Sequence, residues 1–437
     1  MNRQLFVNLN NLLLSLSEVV DLANPSIAQH QERTAFIALE IAIKADLEPE
    51  MTKNIFTAAL LHDIGAVTVE EKIAIHSFKE ADYDIHSFKE VDYDIHTIKG
   101  EILLEQIPWL KGISKIVRNH HKNWKDWEDW EEGIKNPVVL SSQIILLSDF
   151  VERLIDRNKY ILHQSKDIVE TIEKLADTVL NKKIVDYFVD LSKREEFWLD
   201  LVSPRLYSLL LNNGPFMDIQ IGLEDISLIS NLYRDLIDFK SRFTAAHTTG
   251  VSECAVMLSE LFGLAELDIK SMRIAGNFHD IGKLIVPNSI LEKPGKLTVN
   301  EFAIIRCHTY YTYYTLYSIG GLQRIAEWAA YHHEKLDGNG YPFHCTNKEI
   351  DTGSRIMTVA DIFTAISEDR PYRKGMDKDE IYQLLKKQTD EKLLDQRIVE
   401  LLFDNYKTIS SQVKEKQSKA LDFYERRFSS ITDEVNL

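Results

Sequence analysis

The sequence predicts an all-α protein made of two tandem helical domains that arose by internal duplication. Apolar residues recur at three- and four-residue spacing in stretches such as IFTAALLHDIGAV and VMLSELFGLAEL, which is the spacing of one helix face. Alternating patterns typical of strands are scarce, and most of the ten prolines stand at the ends of helical stretches. The third observation, a repeat of histidines and aspartates, indicates the two domains.

Histidines and aspartates recur in register along the chain, one group after 217 residues and another after 212. The first group is His30, His62 and Asp63, repeated as His247, His279 and Asp280. The second group is His96, His120, His121 and Asp149, repeated as His308, His332, His333 and Asp361. Ten of the fourteen histidines belong to these pairs, which chance does not explain. We therefore predict domains over 1–215 and 216–437, joined near the turn-forming stretch LNNGPFMD.

A shorter repeat lies within the first domain. IHSFKEADYD (75–84) is followed by IHSFKEVDYD (85–94) and then by IHTIKG. The five-residue change in spacing falls in the same stretch, so we predict a solvated insertion in a loop or helix extension, without chemistry of its own. Because His76, His86 and His96 occupy equivalent places, the sequence leaves the local register open.

Composition limits the classes of function. The 437 residues are 44% hydrophobic, which allows globular cores, and the net charge of −17 argues against broad binding to DNA or anionic lipid. An anionic substrate would need a local positive site. The three cysteines lack CxxC spacing, which fits a reducing compartment. No run approaches the ~18 apolar residues of a membrane span. We interpret the first twenty residues as an amphipathic helix rather than a signal peptide, and expect a cytoplasmic protein.

The duplicated side chains are of the types that hold metal ions. A single buried histidine is usually a core residue, but each half keeps five histidines and two aspartates in register. Packing alone explains such a set poorly, because unpaired buried polar groups are costly. Imidazole and carboxylate together suit divalent ions such as Fe, Mn or Zn. Seven ligands fit two ions that share a carboxylate, and two-metal sites typically hydrolyse phosphoesters.

Several motifs of the second half follow one another in a specific order. They are AHTTGVSECA, FHDIGKLIVPNSILEKPGKLT, His308, HHEKLDGNGYP and RIMTVADIFTAISEDRPYR, between about residues 240 and 375. This region resembles the HD-GYP family of bacterial cyclic di-GMP phosphodiesterases, within the HD phosphohydrolase superfamily. The first half resembles a plain HD domain through LLHDIGAV, NHHKNW and LLSDF. The resemblance implies metal-dependent hydrolysis of a cyclic dinucleotide, foremost cyclic di-GMP, to linear pGpG and, if the reaction continues, to GMP.

The resemblance also implies a ligand set for two Fe, Mn or Zn ions, with Asp280 bridging them. The ligands would be His247, His279, Asp280, His308, His332, His333 and Asp361. Some family members have a glutamate four residues before the first histidine, which allows a third metal. Phe243 stands at that place here, so two ions are expected. Thr312 replaces a glycine frequent in the family, whereas the first half has Gly100 there, and the sequence assigns no consequence to this difference.

Four further residues receive roles in catalysis and substrate binding from the same resemblance. Lys283 would share a helix face with Asp280, bind a phosphate oxygen and stabilise the transition state, so these two are the predicted catalytic residues. Arg370 and Arg373 would contact the substrate phosphates, for which the guanidinium fork is suited. Tyr341 would stack on or hydrogen-bond to the nucleotide. The plainer alternatives are a solvated lysine, surface arginines and a structural turn tyrosine.

The first half keeps a possible metal site but lacks the predicted substrate-binding residues. Its candidate ligands are His30, His62, Asp63, His96, His120, His121 and Asp149. Ala66 stands in the place of Lys283, the acidic WKDWEDWEE replaces the GYP segment, and no RPYR follows Asp149. We expect this half to bind metal or another ligand and to regulate the second half. The plainer alternative is a relic whose ligands remain as packing.

Two other functions stay open at this point. One is an HD phosphohydrolase that acts on another nucleotide, such as cyclic GMP-AMP. The GYP segment and the arginines of EDRPYR weigh against it, because plain HD enzymes lack both. The other is a non-catalytic sensor of cyclic dinucleotides or metal, and the intact ligand set with Lys283 weighs against it. Among partners, the resemblance allows GGDEF-type proteins, and a homo-oligomer is compatible with the sequence. We expect neither DNA binding nor membrane insertion.

Overall fold

The computed structural model describes residues 5–21, 28–76, 90–127, 133–240, 246–369 and 374–426, with the backbone alone at 74, 76 and 90–94. Helices dominate these residues, and two three-residue strands, β1 (Phe6–Asn8) and β2 (Gln220–Gly222), pair with each other. The predicted all-α fold class is therefore confirmed. Within the described ranges, no helix has both the length and the apolar character needed to cross a bilayer.

The chain divides into two compact units. One comprises residues 8–66 and 70–220, and the other comprises residues 1–7, 67–69 and 221–437. The helices of the first half are α1 (Leu9–Asp21), α2 (His30–Lys44), α3 (Pro49–Leu60), α4 (Val69–His76), α5 (Glu90–Leu104), α6 (Lys111–Arg118), α7 (Pro137–Arg153), α8 (Ile161–Lys174), α9 (Lys182–Leu191), α10 (Glu195–Leu201) and α11 (Leu206–Asn213). Short 3-10 turns cover Trp124–Trp127 and Gly133–Lys135.

The second half has a corresponding helical series. Its helices are α12 (Leu223–Lys240), α13 (His247–Phe262), α14 (Glu266–Phe278), α15 (Asn288–Leu291), α16 (Val299–Ser318), α17 (Gln323–Ala330), α18 (Thr352–Ser367), α19 (Lys378–Asp390), α20 (Gln396–Asp404) and α21 (Tyr406–Tyr424). Two 3-10 turns, Ile281–Ile285 and Tyr331–His333, follow α14 and α17.

The N-terminal apolar stretch forms α1, as predicted, but the helix does not have one polar face. Asn10, Ser15 and Ser17 are buried, and Glu18 is the exposed residue of the helix. Asn10 Nδ2 donates a hydrogen bond to the backbone carbonyl of Leu210 at 2.7 Å. This tertiary hydrogen bond satisfies a polar group that hydropathy alone would place in solvent.

A helix that begins with a candidate ligand lies at the centre of each unit. Helix α2 packs against α3 and α7, whereas α13 packs against α14, α18 and α21. The helices that carry the last aspartate of each ligand set begin with side-chain caps: the Asn136 side chain accepts from Val138 N before α7, and Asp351 accepts from Ser354 N before α18. Such caps typically contribute about 1 kcal/mol and fix where a helix starts.

The short tandem repeat falls largely outside the described residues, which exclude 77–89. Its first two residues belong to α4 and its last five belong to α5. The register that the sequence leaves open is settled at the site, because His96 of α5 lies among the other candidate ligands of the first half.

Candidate metal and substrate site

Five elements of the second unit bring the seven predicted ligands together. His247 is the first residue of α13, and His279 with Asp280 follows the last residue of α14. His308 lies on α16, the 3-10 turn after α17 holds the histidine pair, and α18 carries Asp361. All seven are buried except His333, whose side chain is 29% exposed. An exposed edge at His333 leaves one side of the cluster open to solvent.

Asp280 occupies the middle of the cluster. Its carboxylate oxygens lie 3.2 Å from His279 Nε2, 3.4 Å from His308 Nε2 and 3.8 Å from His332 Nε2. Ligand atoms of His247, His279 and Asp280 lie within 4.8 Å of one another, and so do those of the three remaining histidines. Two neighbouring groups of ligands with a carboxylate between them are the arrangement expected for a bridged pair of ions.

Hydrogen bonds to the backbone fix the tautomers of three histidines. The Nδ1 atoms of His279, His308 and His332 lie 2.6–2.8 Å from the carbonyl oxygens of residues 276, 305 and 329. Because a carbonyl can only accept, each Nδ1 carries the proton and each Nε2 of a neutral ring presents a lone pair. A metal-ligating histidine commonly has this arrangement, since its second nitrogen donates to a carbonyl or carboxylate.

The protonation states also suit metal binding. Burial lowers the pKa of His308 to about 3 and the pKa of His332 to about 4, so both rings are neutral at neutral pH. Their Nε2 atoms are 3.2 Å apart, and two lone pairs cannot hydrogen-bond to each other. The buried His279 Nε2 and Asp280 Oδ1 also make no hydrogen bond. A cation would satisfy all four atoms, so the residues present fit divalent metal ions.

Carboxylates in the cluster are held in their charged form. Burial alone would raise the pKa of Asp280, but His279 and Lys283 hold it well below the usual range. Burial by itself would lower the pKa of His247, yet Glu368 and Asp361 raise that pKa to about 10. Metal binding at His247 Nε2 would therefore release a proton, as ligation by a protonated imidazole requires.

Lys283 lies beside Asp280 but not on an α-helix, contrary to the prediction. Helix α14 ends at Phe278, and Lys283 belongs to the 3-10 turn Ile281–Ile285. Residues three apart are eclipsed in a 3-10 helix, so the side chains of Asp280 and Lys283 still meet. Lys283 Nζ is 2.5 Å from Asp280 Oδ2, and the side chain is 19% exposed. A cation thus stands at the open edge of the cluster.

A close helix approach explains the glycine that follows the His-Asp pair. A Cβ atom on Gly282 would lie 2.0 Å from the carbonyl oxygen of His308, and one on Gly65 would lie 1.9 Å from that of His96. Both distances are shorter than any tolerated contact, so any larger residue would push the third histidine away from the aspartate. The same glycine therefore supports both ligand clusters.

The glycine-rich turn places Tyr341 against the cluster. The Glu334 carboxylate accepts hydrogen bonds from the backbone N–H of Phe343, His344 and Cys345 at 2.7–3.2 Å, which anchors the segment after the turn. The Tyr341 ring centroid is 4.9 Å from that of His333, and its other neighbours include Arg306, with the guanidinium carbon 4.8 Å from the ring centroid. The predicted substrate-binding tyrosine is thus adjacent to a predicted ligand.

The first unit assembles its own cluster around Asp63. Its carboxylate lies 3.4 Å from His62 Nε2, 3.3 Å from His96 Nε2 and 3.7 Å from His120 Nε2. His121 joins this group, and His30 Nε2 lies 3.3 Å from Asp149 Oδ1. The structure therefore brings together all seven candidate ligands of this half as well.

Two charged residues near the first cluster were not identified from the sequence. Arg153 Nε donates to Asp149 Oδ1 at 2.7 Å, and its Nη1 donates to the Ile75 carbonyl at 2.9 Å. Glu152 accepts from His30 Nδ1 at 2.6 Å. In the second half the corresponding carboxylate is Glu368, whose Oε2 lies 3.1 Å from His247 Nδ1. Tertiary contacts define the two Glu–His pairs, so no local pattern could have named them. Arg153, by contrast, lies four residues after Asp149 on α7, a helical spacing that the sequence does show.

A buried aspartate in each half was missed although it obeys the repeat. Asp21 accepts a hydrogen bond from Gln31 N at 2.9 Å, and Asp238 accepts one from Thr248 N at 3.1 Å. In each half, the aspartate accepts from the backbone N–H of the residue directly after the first histidine ligand. Asp21 and Asp238 are 217 residues apart, so the spacing applied to histidines would have found this pair.

Three residues that the sequence analysis names in connection with the second site lie outside the described residues. They are the predicted phosphate-binding Arg370 and Arg373 and the position of the third-metal glutamate, Phe243. Their predicted roles stay predictions.

Comparison with protein families identifies the class of the chain. The profile of the HD domain matches residues 15–177 and again residues 231–398. The two matches cover most of the chain, which therefore belongs to the HD domain family and carries the domain twice. The double match agrees with the two ligand clusters built on equivalent elements.

Individual relatives divide according to how much of the chain they match. The 3'3'-cGAMP-specific phosphodiesterase 1 of Vibrio cholerae is 27% identical over 407 residues, covering 91% of this chain and 92% of that protein. A cyclic di-GMP phosphodiesterase of Thermotoga maritima is 35% identical over 163 residues, covering 37% of this chain and 42% of that protein. A solved structure of a cyclic GMP-AMP specific phosphodiesterase of V. cholerae superposes on this chain with a TM-score of 0.62 at 22% identity. The match covers 91% of this chain and 97% of that one, and it shows a similar fold.

Proposed function

We propose that the second half hydrolyses a cyclic dinucleotide in a metal-dependent reaction and releases the linear dinucleotide. The observation that carries the proposal is the buried cluster around Asp280, in which lone pairs converge without hydrogen-bond donors beside a cationic residue and an aromatic residue. His247, His279, Asp280, His308, His332, His333 and Asp361 would hold two divalent ions. Such ions polarise a phosphoryl oxygen and activate water for attack on phosphorus.

Asp280 and Lys283 would act together at the reacting phosphate. Asp280 would orient the cluster through its contacts with three histidines, because its two oxygens face different rings. Lys283 Nζ would turn from Asp280 toward a phosphate oxygen, since the side chain is flexible and lies at the exposed edge. A cation placed where negative charge grows lowers the barrier, and one such donor is typically worth about 10²–10³ in rate.

Tyr341 would hold the nucleotide next to the metals. Its ring lies against His333, and its hydroxyl would donate a hydrogen bond to the nucleotide. Burial raises the pKa of Tyr341, so the hydroxyl stays protonated and remains a hydrogen-bond donor at neutral pH. Arg370 and Arg373 retain their proposed role as phosphate contacts, which rests on sequence resemblance.

The choice of substrate lies between two cyclic dinucleotides. The resemblance of the second half favours cyclic di-GMP, and relatives named for cyclic di-GMP match only part of the chain. A relative named for 3'3'-cGAMP matches both halves over 91% of the chain. Because that similarity includes the duplicated organisation, we place 3'3'-cGAMP beside cyclic di-GMP as a candidate substrate.

We assign a regulatory or supporting role to the first half. It carries Ala66 in place of Lys283, and the 3-10 turn Trp124–Trp127 follows its histidine pair where the second half has the glycine-rich turn. Buried Arg153 already binds the Asp149 carboxylate in this half. A guanidinium there competes with a metal ion for the same oxygen, so we expect weaker metal binding in the first cluster.

The test is a turnover assay on purified full-length protein together with metal analysis. The substrate panel is cyclic di-GMP, 3'3'-cGAMP, cyclic di-AMP, linear pGpG and 2',3'-cyclic AMP, with products separated by chromatography. The proposal expects hydrolysis of at least one of the first two substrates, loss of activity with a chelator, and recovery with Fe²⁺ or Mn²⁺.

Each other outcome favours a different function. Turnover restricted to 2',3'-cyclic AMP would indicate a phosphohydrolase of another substrate class. Tight binding of a cyclic dinucleotide without turnover, in protein loaded with Fe²⁺, Mn²⁺ or Zn²⁺, would indicate a sensor and would overturn the enzymatic proposal.

A further inference from the structure

A half-buried arginine packs on the ring of Tyr341. Arg306 belongs to α16, two residues before His308, and its guanidinium carbon is 4.8 Å from the Tyr341 ring centroid. Residues two apart on a helix point in different directions, so Arg306 does not share the face of His308. Phe302, four residues earlier on α16, also reaches Tyr341, with ring centroids 6.2 Å apart. Helix α16 thus contributes one side chain to the cluster and two to its tyrosine.

Stacking leaves the hydrogen-bonding edge of Arg306 available. A guanidinium that packs its flat face on an aromatic ring still directs its N–H groups outward in the plane. Among the described residues, no carboxylate lies within 4.0 Å of Arg306, and stacking on Tyr341 is the side-chain interaction it makes. A partly buried cation without an acidic partner is suited to an anion from outside the protein, because the desolvation cost of the charge is then offset on binding.

The first half of the duplication has no arginine at the position of Arg306. The 212-residue spacing that relates His96 to His308 places Asp94 at the position of Arg306. The 217-residue spacing places Ala66 at the position of Lys283. Both cations near the second cluster are therefore absent from the first half, and one of them is replaced by an acid. A role in the fold that both halves share does not explain such a charge reversal.

We propose that Arg306 binds the phosphate of the cyclic dinucleotide that is not being cleaved. This inference rests on the proposed function. The substrate carries two phosphodiester groups, and the one that reacts must lie at the metal ligands and Lys283. Tyr341 contacts both His333 and Arg306, so a single tyrosine ring connects the arginine to a predicted ligand. Held by Arg306, the second phosphate would orient the reacting phosphate toward the ligand cluster.

The inference predicts an effect on binding rather than on the chemical step. Arg306→Met keeps an apolar side chain against Tyr341 but removes the charge. We expect KM for the better of 3'3'-cGAMP and cyclic di-GMP to rise about tenfold, the typical effect of losing a hydrogen bond to a charged group. kcat should stay within about threefold and metal content should be unchanged. The increase of KM with NaCl should also become shallower, because one screened charge–charge contact is lost.

Matched variants distinguish the charge from the packing. Arg306→Lys should recover part of the lost affinity, since the charge returns without the guanidinium fork. Arg324 is the control, because its guanidinium stacks 4.5 Å from the Trp328 ring and pairs with Asp268 at 2.6 Å on the same half of the chain. Arg324→Met should leave both KM and its salt dependence unchanged. A single phosphodiester, bis(p-nitrophenyl) phosphate, should be hydrolysed equally by wild type and Arg306→Met, or by neither.

Two results would overturn the inference while leaving the proposed function in place. One is an unchanged KM with an unchanged salt dependence in folded Arg306→Met. The other is a fall in kcat with loss of metal, which would make Arg306 a support of the cluster. If wild-type protein loaded with metal hydrolyses neither cyclic dinucleotide, the proposed function is wrong and this inference falls with it.

Discussion

The two halves of the chain each gather five histidines and two aspartates into a cluster, but they place different charges beside it. In the first half the cation beside the ligands is Arg153, whose side chain is 7% exposed and also binds the Ile75 carbonyl. In the second half it is Lys283, which is 19% exposed and pairs with Asp280. Neither cation is repeated in the other half: Ala365 stands at the position of Arg153, and Ala66 stands at the position of Lys283.

The two cations differ in how firmly they are held beside their clusters. A buried arginine held by two partners cannot leave its carboxylate without an uncompensated charge. A lysine at the edge can move toward an incoming phosphate, and the Asp280 carboxylate would then be free to hold a metal ion. Ligand identity is therefore shared by both halves, whereas the charge next to the ligands differs and would decide which half reacts.

The largest expected effect is the loss of the central carboxylate in the second half. Asp280→Ala should abolish turnover and lower metal content by about two ions per chain, because the carboxylate serves both groups of ligands. Metal analysis by mass spectrometry and the cyclic dinucleotide assay check this result. Asp63→Ala is the matched control and should retain turnover. Full metal occupancy with normal turnover in Asp280→Ala would remove the basis of the metal assignment.

The second expected effect concerns the cation that only the second half carries. Lys283→Ala should lower kcat by about 10²–10³ with metal content unchanged, since one electrostatic donor is lost from the transition state. Lys293, which pairs with Glu301 at 2.7 Å, is the matched control, and Lys293→Ala should leave kcat unchanged. An unaltered kcat in Lys283→Ala would return this residue to the status of a solvated lysine.

The third effect tests the carboxylates that hold the first histidine of each set. Glu368→Ala should weaken metal binding about 10- to 100-fold, because His247 loses the partner that orients its ring. Glu368→Gln should recover much of this loss through the amide oxygen. The equivalent change in the first half, Glu152→Ala, should leave the metal affinity of the second half unchanged. Titration of metal-free protein with Mn²⁺ measures these affinities. An equal loss of second-half metal affinity in Glu368→Ala and Glu152→Ala would contradict the assignment of each carboxylate to its own cluster.

The smallest effect should be the same in both halves. Gly65→Ala and Gly282→Ala each force a Cβ into a backbone carbonyl and should cost about 1–3 kcal/mol as overpacking. Thermal unfolding of the metal-free protein should show the loss, at about 2–4 °C per kcal/mol for domains of this size. Gly112 in α6 is the control, since a Cβ there meets nothing within 4 Å. Unchanged unfolding in either glycine variant would mean that the close approach is not shared.

Much of the fold and of the ligand cluster follows from the sequence because both depend on regular patterns. Helical periodicity gave the fold class, and the repeat gave all fourteen candidate ligands, which the structure gathers into two clusters. The 3-10 geometry at Lys283 was missed because the motif defines the spacing of side chains and not the hydrogen-bond pattern of the backbone.

The partners of the ligands could not be predicted in the same way. Glu152 contacts the first histidine from three residues after Asp149, but the corresponding residue of the second half is Thr364, and Glu368 makes the contact instead. A repeat cannot reveal a contact whose position has shifted. Arg306 was missed because its meaning depends on Tyr341, 35 residues away.

The most direct test of the asymmetry is a comparison of two double variants of the full chain. One carries His62→Ala with Asp63→Ala, and the other carries His279→Ala with Asp280→Ala. Hydrolysis of cyclic di-GMP and 3'3'-cGAMP is measured with excess Mn²⁺, after circular dichroism has confirmed that both variants are folded. We predict that activity vanishes in the second variant and changes at most partially in the first. Abolished turnover in a folded first variant that retains the metals of its second half would contradict the assignment of catalysis to the second half alone.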